Sequence, residues 1–302
     1  MRANPWDPEV VVDAPLARHL IDAHFPELGN EPLSYVGAGW DNTAWRVGDW
    51  VFRFPRRGIA RALLHTEIEV LRDLADALPL PISAPTYVGT STPEYPFPWA
   101  GYRWLDGQTG CTTSHIDAPR SAQMLGLFLR ALHEQRAPAP MDEWRFDVPA
   151  QAERLHKLLS SLDDGVLPHV NAADAACTDL ARTPLFLHPP VLCHGDLYAR
   201  HVLFRDGLPC GVIDWGDVHN GDRATDLAVA YMLFDPPDRE RLFDAYGPLT
   251  EPMRRRARFR ALYSGVHQAA YGAAMDDQPM LRAGRNAVAR ALASDSIGCP
   301  ID

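Results

Sequence analysis

The chain has 302 residues, of which 46% are hydrophobic and 23% charged, with a formal net charge of −10. Such a chain can bury a large core and is long enough to divide into two lobes. Its acidic balance argues against nucleic acid as a partner, since a duplex binder shows a basic face, and no run approaches the ~18–20 apolar residues of a membrane span.

The amino-terminal M-R-A-N-P-W-D-P lacks the apolar core of a signal peptide, so a cytoplasmic protein is expected. Residues 8–25 carry Val11, Val12, Leu16, Leu20, Ile21 and Phe25 at mixed helical spacing, with Asp13 as a cap before Pro15, which predicts a short amphipathic helix. Three β-prone runs follow, Leu33 to Val36, Thr43 to Val47 and Trp50 to Phe54, the last two joined by Gly48-Asp49.

Between the first two runs lies G-A-G-W-D-N-T, Gly37 to Thr43. A glycine-rich hairpin lets backbone amides approach a polyphosphate, and a plain β-turn explains it equally well. Residues 59–78 read as a helix with Leu63, Leu64, Ile68, Leu71 and Leu74 on one face and two acids, Glu67 and Glu69, two positions apart. A proline-rich stop at 79–85 and a strand-like Thr86 to Val88 lead to the aromatic stretch Tyr95 to Gly107, where a β-rich section gives way to a helical one.

Beyond it, Ala118 to His133 reads as a core helix whose His133 is expected as a C-terminal cap. Further helices are expected near 150–162, 171–181, 250–273 and 278–294, and the run Arg254 to Arg260 is expected as a solvated helix face. Asp163, Asp164, Asp174 and Asp179 could face a cationic ligand or serve as surface and cap residues. The five cysteines are widely spaced with no C-x-x-C pair, so buried thiols are expected rather than disulfides or a zinc site.

The densest stretch is V-L-C-H-G-D-L-Y-A-R-H-V-L-F-R-D-G-L-P-C-G-V-I-D-W-G-D, residues 191–217. Two apolar runs, Val202 to Phe204 and Cys210 to Ile213, flank Asp206-Gly207, which predicts a hairpin with a turn lengthened by Pro209. Counting outward puts Asp214 opposite the region of Ala199 to His201, so Asp196, His201 and Asp214 are expected to converge. Two carboxylates together in a dry site need a cation or a shared proton, and a divalent metal held by Asp214 and His201 answers that need. It leaves one acid to take a proton from a substrate hydroxyl.

H-G-D-L-Y-A-R-H followed by I-D-W resembles the aminoglycoside phosphotransferase family, whose pattern is H-G-D-x-x-x-x-N and then I-D; His201 in place of asparagine is similar to the macrolide phosphotransferase branch. The resemblance implies an α+β, bilobal protein-kinase-like fold. Residues 1–104 would form an antiparallel nucleotide-binding lobe with a hinge near 100–107, and residues 105–302 a helical lobe holding the catalytic loop 194–201 and the substrate pocket. It implies Asp196 as catalytic base, Asp214 and His201 as metal ligands, and His194 and Asp226 as support for the loop. Gly37, Gly39 and Asn42 would cover the phosphates, and Arg53, paired with Glu67, would grip them in the place of the usual lysine. Arg103, Trp104 and Leu105 would neighbour the adenine, and Asp217 would reach the substrate.

The implied activity is transfer of phosphate from ATP or GTP, with Mg2+ or else Mn2+, to a hydroxyl of a small molecule. Antibiotics of the aminoglycoside or macrolide kind come first as acceptors, a cationic substrate suiting the acidic chain; choline, homoserine or sugar derivatives are the alternative. The departures at Asn42, Arg53 and His201 keep a nucleotide-binding pseudokinase open. Metal-dependent hydrolysis at His194, Asp196, His201 and Asp214 would leave the glycine loop unexplained.

Overall fold

The computed structural model describes residues 8–39, 41–184 and 188–293. The amino-terminal octapeptide's first seven residues, Trp40 of the glycine loop, Cys299 and position 294 of the last expected helix lie outside them. The chain forms two compact units: residues up to Ala77 with Ile82–Leu105 and Asp214–Asp217 make one, and Leu78–Pro81, Asp106–Ile213 and the chain from Val218 make the other.

In the first unit, α1 (Ala14–His24) starts six residues later than its apolar pattern suggested, because Asp13 caps it by accepting from the Leu16 amide at 3.0 Å and Pro15 occupies its first turn. Strands β1 (Leu33–Ala38), β2 (Asn42–Val47) and β3 (Trp50–Pro55) precede α2 (Ile59–Leu74). α2 stops short of residue 78, as expected where Pro79 disfavours helical angles in the residue before it. With β4 (Pro85–Gly89) and β5 (Trp99–Arg103), the strands form one antiparallel sheet in the order β1-β2-β3-β5-β4.

Alternation along β3 sends Phe52 and Phe54 into a core with Leu20, Ile21 and Trp99. Each such ring contributes ~2 kcal/mol by leaving water. A second core contains Leu64, Ala100 and Tyr102, with Val51 and Ile68 packed against it. β3 therefore carries Arg53 between two buried aromatic residues, which fixes the direction of its side chain.

The second unit runs through β6 (Gln108–Thr109), α3 (Ala118–Glu134), α4 (Val148–Leu159), α5 (Val170–Ala181), β7 (Val191–Cys193), β8 (Val202–Arg205), β9 (Leu208–Val212) and β10 (His219–Gly221). It ends in α6 (Ala224–Leu227), α7 (Val229–Leu233), α8 (Pro236–Tyr246), α9 (Glu251–Ala274) and α10 (Gln278–Leu292). The strands form two small sheets, β6-β8-β9 and β7-β10.

The β8–β9 turn is tighter than Pro209 suggested. Asp206 (φ 52°) and Gly207 (φ 79°) both take left-handed angles, making a two-residue turn that closes with Arg205 opposite Leu208. The irregularity sits further along, where Leu203 pairs with Gly211 and Phe204 with Pro209, so Cys210 is the extra residue.

The Arg254 to Arg260 run is not a solvated face. Arg256 and Arg260 are buried, Arg254 pairs with Glu240, Arg255 with Asp179 and Arg256 with Asp222, and Arg258 donates to the Ala291 carbonyl. α9 packs against α10, α5 and α6, so charges on several of its sides meet protein rather than water. Among the described residues, no helix is long and apolar enough to cross a membrane.

Candidate active site

The first unit gathers Arg53, Glu67, Tyr102 and Asp214 around one guanidinium. Arg53 Nη1 donates to Glu67 Oε1 at 3.1 Å and Nη2 to Asp214 Oδ1 at 2.6 Å. The Tyr102 hydroxyl donates to the other Glu67 oxygen at 3.1 Å, and its ring lies 5.4 Å beneath the guanidinium carbon. Glu67 is buried because α2 turns it toward the sheet; Glu69 faces outward and pairs with His65.

One cation thus serves two carboxylates. Burial pushes the Glu67 carboxyl up to about 7, Arg53 opposes the rise, and Asp214 adds to it by repulsion. Burial works against the Arg53 charge, yet Asp214 and Glu67 together hold the guanidinium more firmly protonated than an ordinary arginine. Asp214 has φ 65°, a left-handed angle that aspartate tolerates better than most residues, and its side chain stays 46% exposed.

The glycine hairpin uses its glycines for clearance. A Cβ at Gly37 or Gly39 would meet nothing within 4 Å, and neither residue has a positive φ. Asn42 is extended, pairs with Pro55 as the first residue of β2, and needs no left-handed tolerance. The Gly39 amide donates to the Asn42 carbonyl at 2.9 Å, while Arg56 binds the Gly39 carbonyl at 2.6 Å and Arg57 pairs with Asp41.

At the end of β5, the Trp104 amide donates to the Asp49 carbonyl at 2.8 Å. Arg103 pairs with Asp49 at 3.1 Å and lies over Trp50, Arg46 lies over Trp104, and Leu105 is half-buried. Asp217 is exposed in the segment that follows Asp214.

In the second unit, β7 delivers His194-Gly195-Asp196 to a turn in which Gly195 has φ 90°, an angle that favours glycine. Asp226, fully buried in α6, accepts from the consecutive amides of His194 at 2.7 Å and Gly195 at 2.9 Å. Burial opposes its ionisation, but the hydrogen bond and electrostatic interaction with His133, the interaction with His194 and the Gly195 amide win, and its carboxyl falls to about 2.

His133 accepts from the Tyr246 hydroxyl on Nδ1 at 2.9 Å and donates from Nε2 to Asp226 at 3.2 Å, the tautomer that satisfies both partners. The helical pattern marked His133 only as a cap and gave no sign of Tyr246, because their meeting depends on α3 packing against α8. Cys193 lies close to His133 and Asp226, a trio with metal-ligand spacing. Its thiol is pushed far up by burial and by Asp226, and the other two groups are joined to each other by a hydrogen bond.

His194 directs Nε2 to the Ile213 carbonyl at 3.0 Å and accepts the Asp196 amide on Nδ1 at 3.2 Å. These bonds fix the turn while leaving the Asp196 side chain 44% exposed. His201 donates Nδ1–H to the Asp196 carbonyl oxygen at 2.8 Å, so Nε2 is the basic nitrogen of its ring. The hairpin holds Ile213 opposite His201, amide to carbonyl at 2.9 Å, one residue before Asp214 in the chain. An imidazole oriented in this way can serve a divalent cation, and its nitrogen fits Mn2+ better than Mg2+.

Of Asp163, Asp164, Asp174 and Asp179, three meet protein partners. Asp163 caps the Val166 amide, Asp174 accepts from His156 at 2.5 Å, and Asp179 pairs with Arg255 at 2.9 Å.

Comparison with known proteins gives a consistent picture. The chain is similar in structure to the GDP and kanamycin complex of the aminoglycoside phosphotransferase APH(2″)-IIIa, at TM-score 0.69 and 22% identity over 91% of this chain and 97% of that one. It is also similar to macrolide 2′-phosphotransferase type I, at TM-score 0.61 and 22% identity over 91% and 97% of the two chains. The apoenzyme of a macrolide 2′-phosphotransferase from Brachybacterium faecium matches at TM-score 0.59 and 22% identity over 85% and 91%. No curated protein sequence matches significantly. The α+β fold is therefore the kinase-like one of these enzymes, an antiparallel sheet followed by a mainly helical region. The model of the phosphotransferase enzyme family matches residues 33–260, from β1 to the middle of α9, and the chain belongs to that family.

Proposed function

We propose that this phosphotransferase moves the terminal phosphoryl group of ATP or GTP to a hydroxyl of a small molecule, with Asp196 as the base. The observation that carries the reading is the His194-Gly195-Asp196 turn: two consecutive amides are held by a buried, ionised Asp226, and Asp196 is left exposed at its tip. Asp196 would orient the acceptor hydroxyl and take its proton as the oxygen attacks phosphorus. Asp214 and His201 would hold Mg2+ or Mn2+, which when bound neutralises charge on the phosphate oxygens. Arg53 would hold phosphate oxygens through its guanidinium, kept charged and oriented by Glu67 and Tyr102. The Gly37–Asn42 hairpin would let its amides approach them, with Arg103, Trp104 and Leu105 near the base and Asp217 toward the acceptor.

An antibiotic of the macrolide or aminoglycoside kind is the proposed acceptor, in line with the substrates named for the structural neighbours: kanamycin, gentamicin and streptomycin, and macrolides by enzyme name. The macrolide kind is favoured because Asp163, Asp174 and Asp179 are engaged with protein partners rather than gathered for a polycation. Nucleotide consumption measured against macrolides, aminoglycosides and hydroxylated metabolites, with Mg2+ and then Mn2+, tests the reading. Turnover with a macrolide supports it; turnover only with choline, homoserine or a sugar moves the acceptor to metabolism, and none with any acceptor sinks it.

A further inference from the structure

The second unit contains a cavity of about 840 Å³ that the proposed reaction does not use, lined from the end of α3, the entry to β7, the start of α6 and the end of α8. That volume lies within the range of small-molecule sites. Its charge is opposite to that of the chain. Among the described residues Glu134 is the one acid on its wall and is paired with Arg130 at 3.2 Å, which leaves the guanidinium groups of Arg136 and Arg223 in excess. Arg136 is exposed at the rim and makes no ion pair among the described residues; Arg223 is half-buried, with its Nε lacking a hydrogen-bond partner there. Met141, Val191, Leu192 and Pro248 supply an apolar floor. In a chain of net charge −10, a cationic cavity with an apolar floor favours one ligand chemistry, an anionic head on an apolar or planar body.

The wall is also wired to the catalytic loop. Tyr246 and His133 both stand on that wall; the Tyr246 hydroxyl donates to His133 Nδ1 at 2.9 Å, His133 Nε2 donates to Asp226, and Asp226 holds the amides of His194 and Gly195. From Tyr246 inward each group has its donor and acceptor roles filled consistently, so a ligand against Tyr246 is felt at His133 and onward.

We propose that this cavity is a second ligand site, taking a small organic anion, and that its occupant acts on the His194-Gly195-Asp196 turn through Tyr246, His133 and Asp226. The site does not depend on the reaction assigned to Asp196, and its test needs no turnover.

The probe is 1-anilinonaphthalene-8-sulfonate, a fluorescent anion with an apolar body, titrated into the native protein, with phenyl phosphate and benzoate as competitors. The expected result is one saturable site, weakened at least fivefold by Arg223→Gln and by Arg136→Gln, weakened by salt, and cleared by at least one competitor, which identifies the preferred head group. Arg136 lies at an exposed rim, so Arg136→Gln decides the matter even where Arg223→Gln disturbs folding. Equal binding in the native protein and Arg136→Gln, or a site that neither competitor clears, overturns the ligand assignment. Hydrogen exchange at the His194 and Gly195 amides, read with and without saturating probe, tests the relay: altered protection is expected in the native protein, and unchanged protection overturns the coupling.

Discussion

His201 donates its Nδ1–H to the main-chain carbonyl of Asp196, 2.8 Å away. The proposed base and the proposed nitrogen ligand are thereby locked together, and the ring's orientation is set by the backbone of the residue that would do the chemistry.

Metal preference should follow from that ring. Mg2+ favours oxygen and Mn2+ tolerates imidazole, so the native protein is expected to turn over faster with Mn2+ relative to Mg2+ than His201→Asn does, by roughly fivefold or more in the ratio. Steady-state rates in the two metals measure it; identical ratios would remove His201 from the metal.

Asp226 should report on acid stability. Its carboxyl is depressed from 3.8 to about 2 in the folded protein, so it contributes stability that is present above about 3.8 and lost as pH falls through about 2. Asp226→Asn turns an NH2 group toward a donor and strips the charge from two amides and His133, at a cost of about 2–4 kcal/mol at neutral pH. Denaturant melts from pH 7 to 2 should show the native protein losing that margin while the variant's curve is flatter.

Glu67 should show the opposite sign. Its carboxyl is raised from 4.5 to about 7, so its contribution is complete below about 4.5 and is lost as pH rises through about 7. Glu67→Gln is expected to remove that slope, worth up to ~3 kcal/mol across the window. Arg53→Met leaves Glu67 and Asp214 without their shared cation and should destabilise by about 3–5 kcal/mol. Unfolding midpoints at pH 5 and pH 8 separate the two effects; parallel curves for the native protein and Glu67→Gln would show that the carboxyl is not raised.

What the sequence disclosed was set by how local each feature is. The Asp206-Gly207 turn, the Asp13 cap and the strands around Arg53 depend on neighbours within a few residues, and pattern alone located them. The choice between Glu67 and Glu69 needed the helix's rotation against the sheet. His133, Tyr246 and Arg223 were illegible as a group because they meet through the packing of α3, α6 and α8, and nothing in spacing announces a contact 113 residues apart such as that between His133 and Tyr246. The buried arginines of α9 misled for a related reason: a run of positive charge looks like a wet face until each partner is known.

The most direct measurement compares phosphate transfer by the native protein with that of Asp196→Asn, alongside nucleotide affinity in both. The account predicts a loss of roughly 10²–10⁴ in rate with affinity changed less than about twofold, since the removed carboxylate takes a proton and does not hold the nucleotide. Full transfer in Asp196→Asn would contradict it.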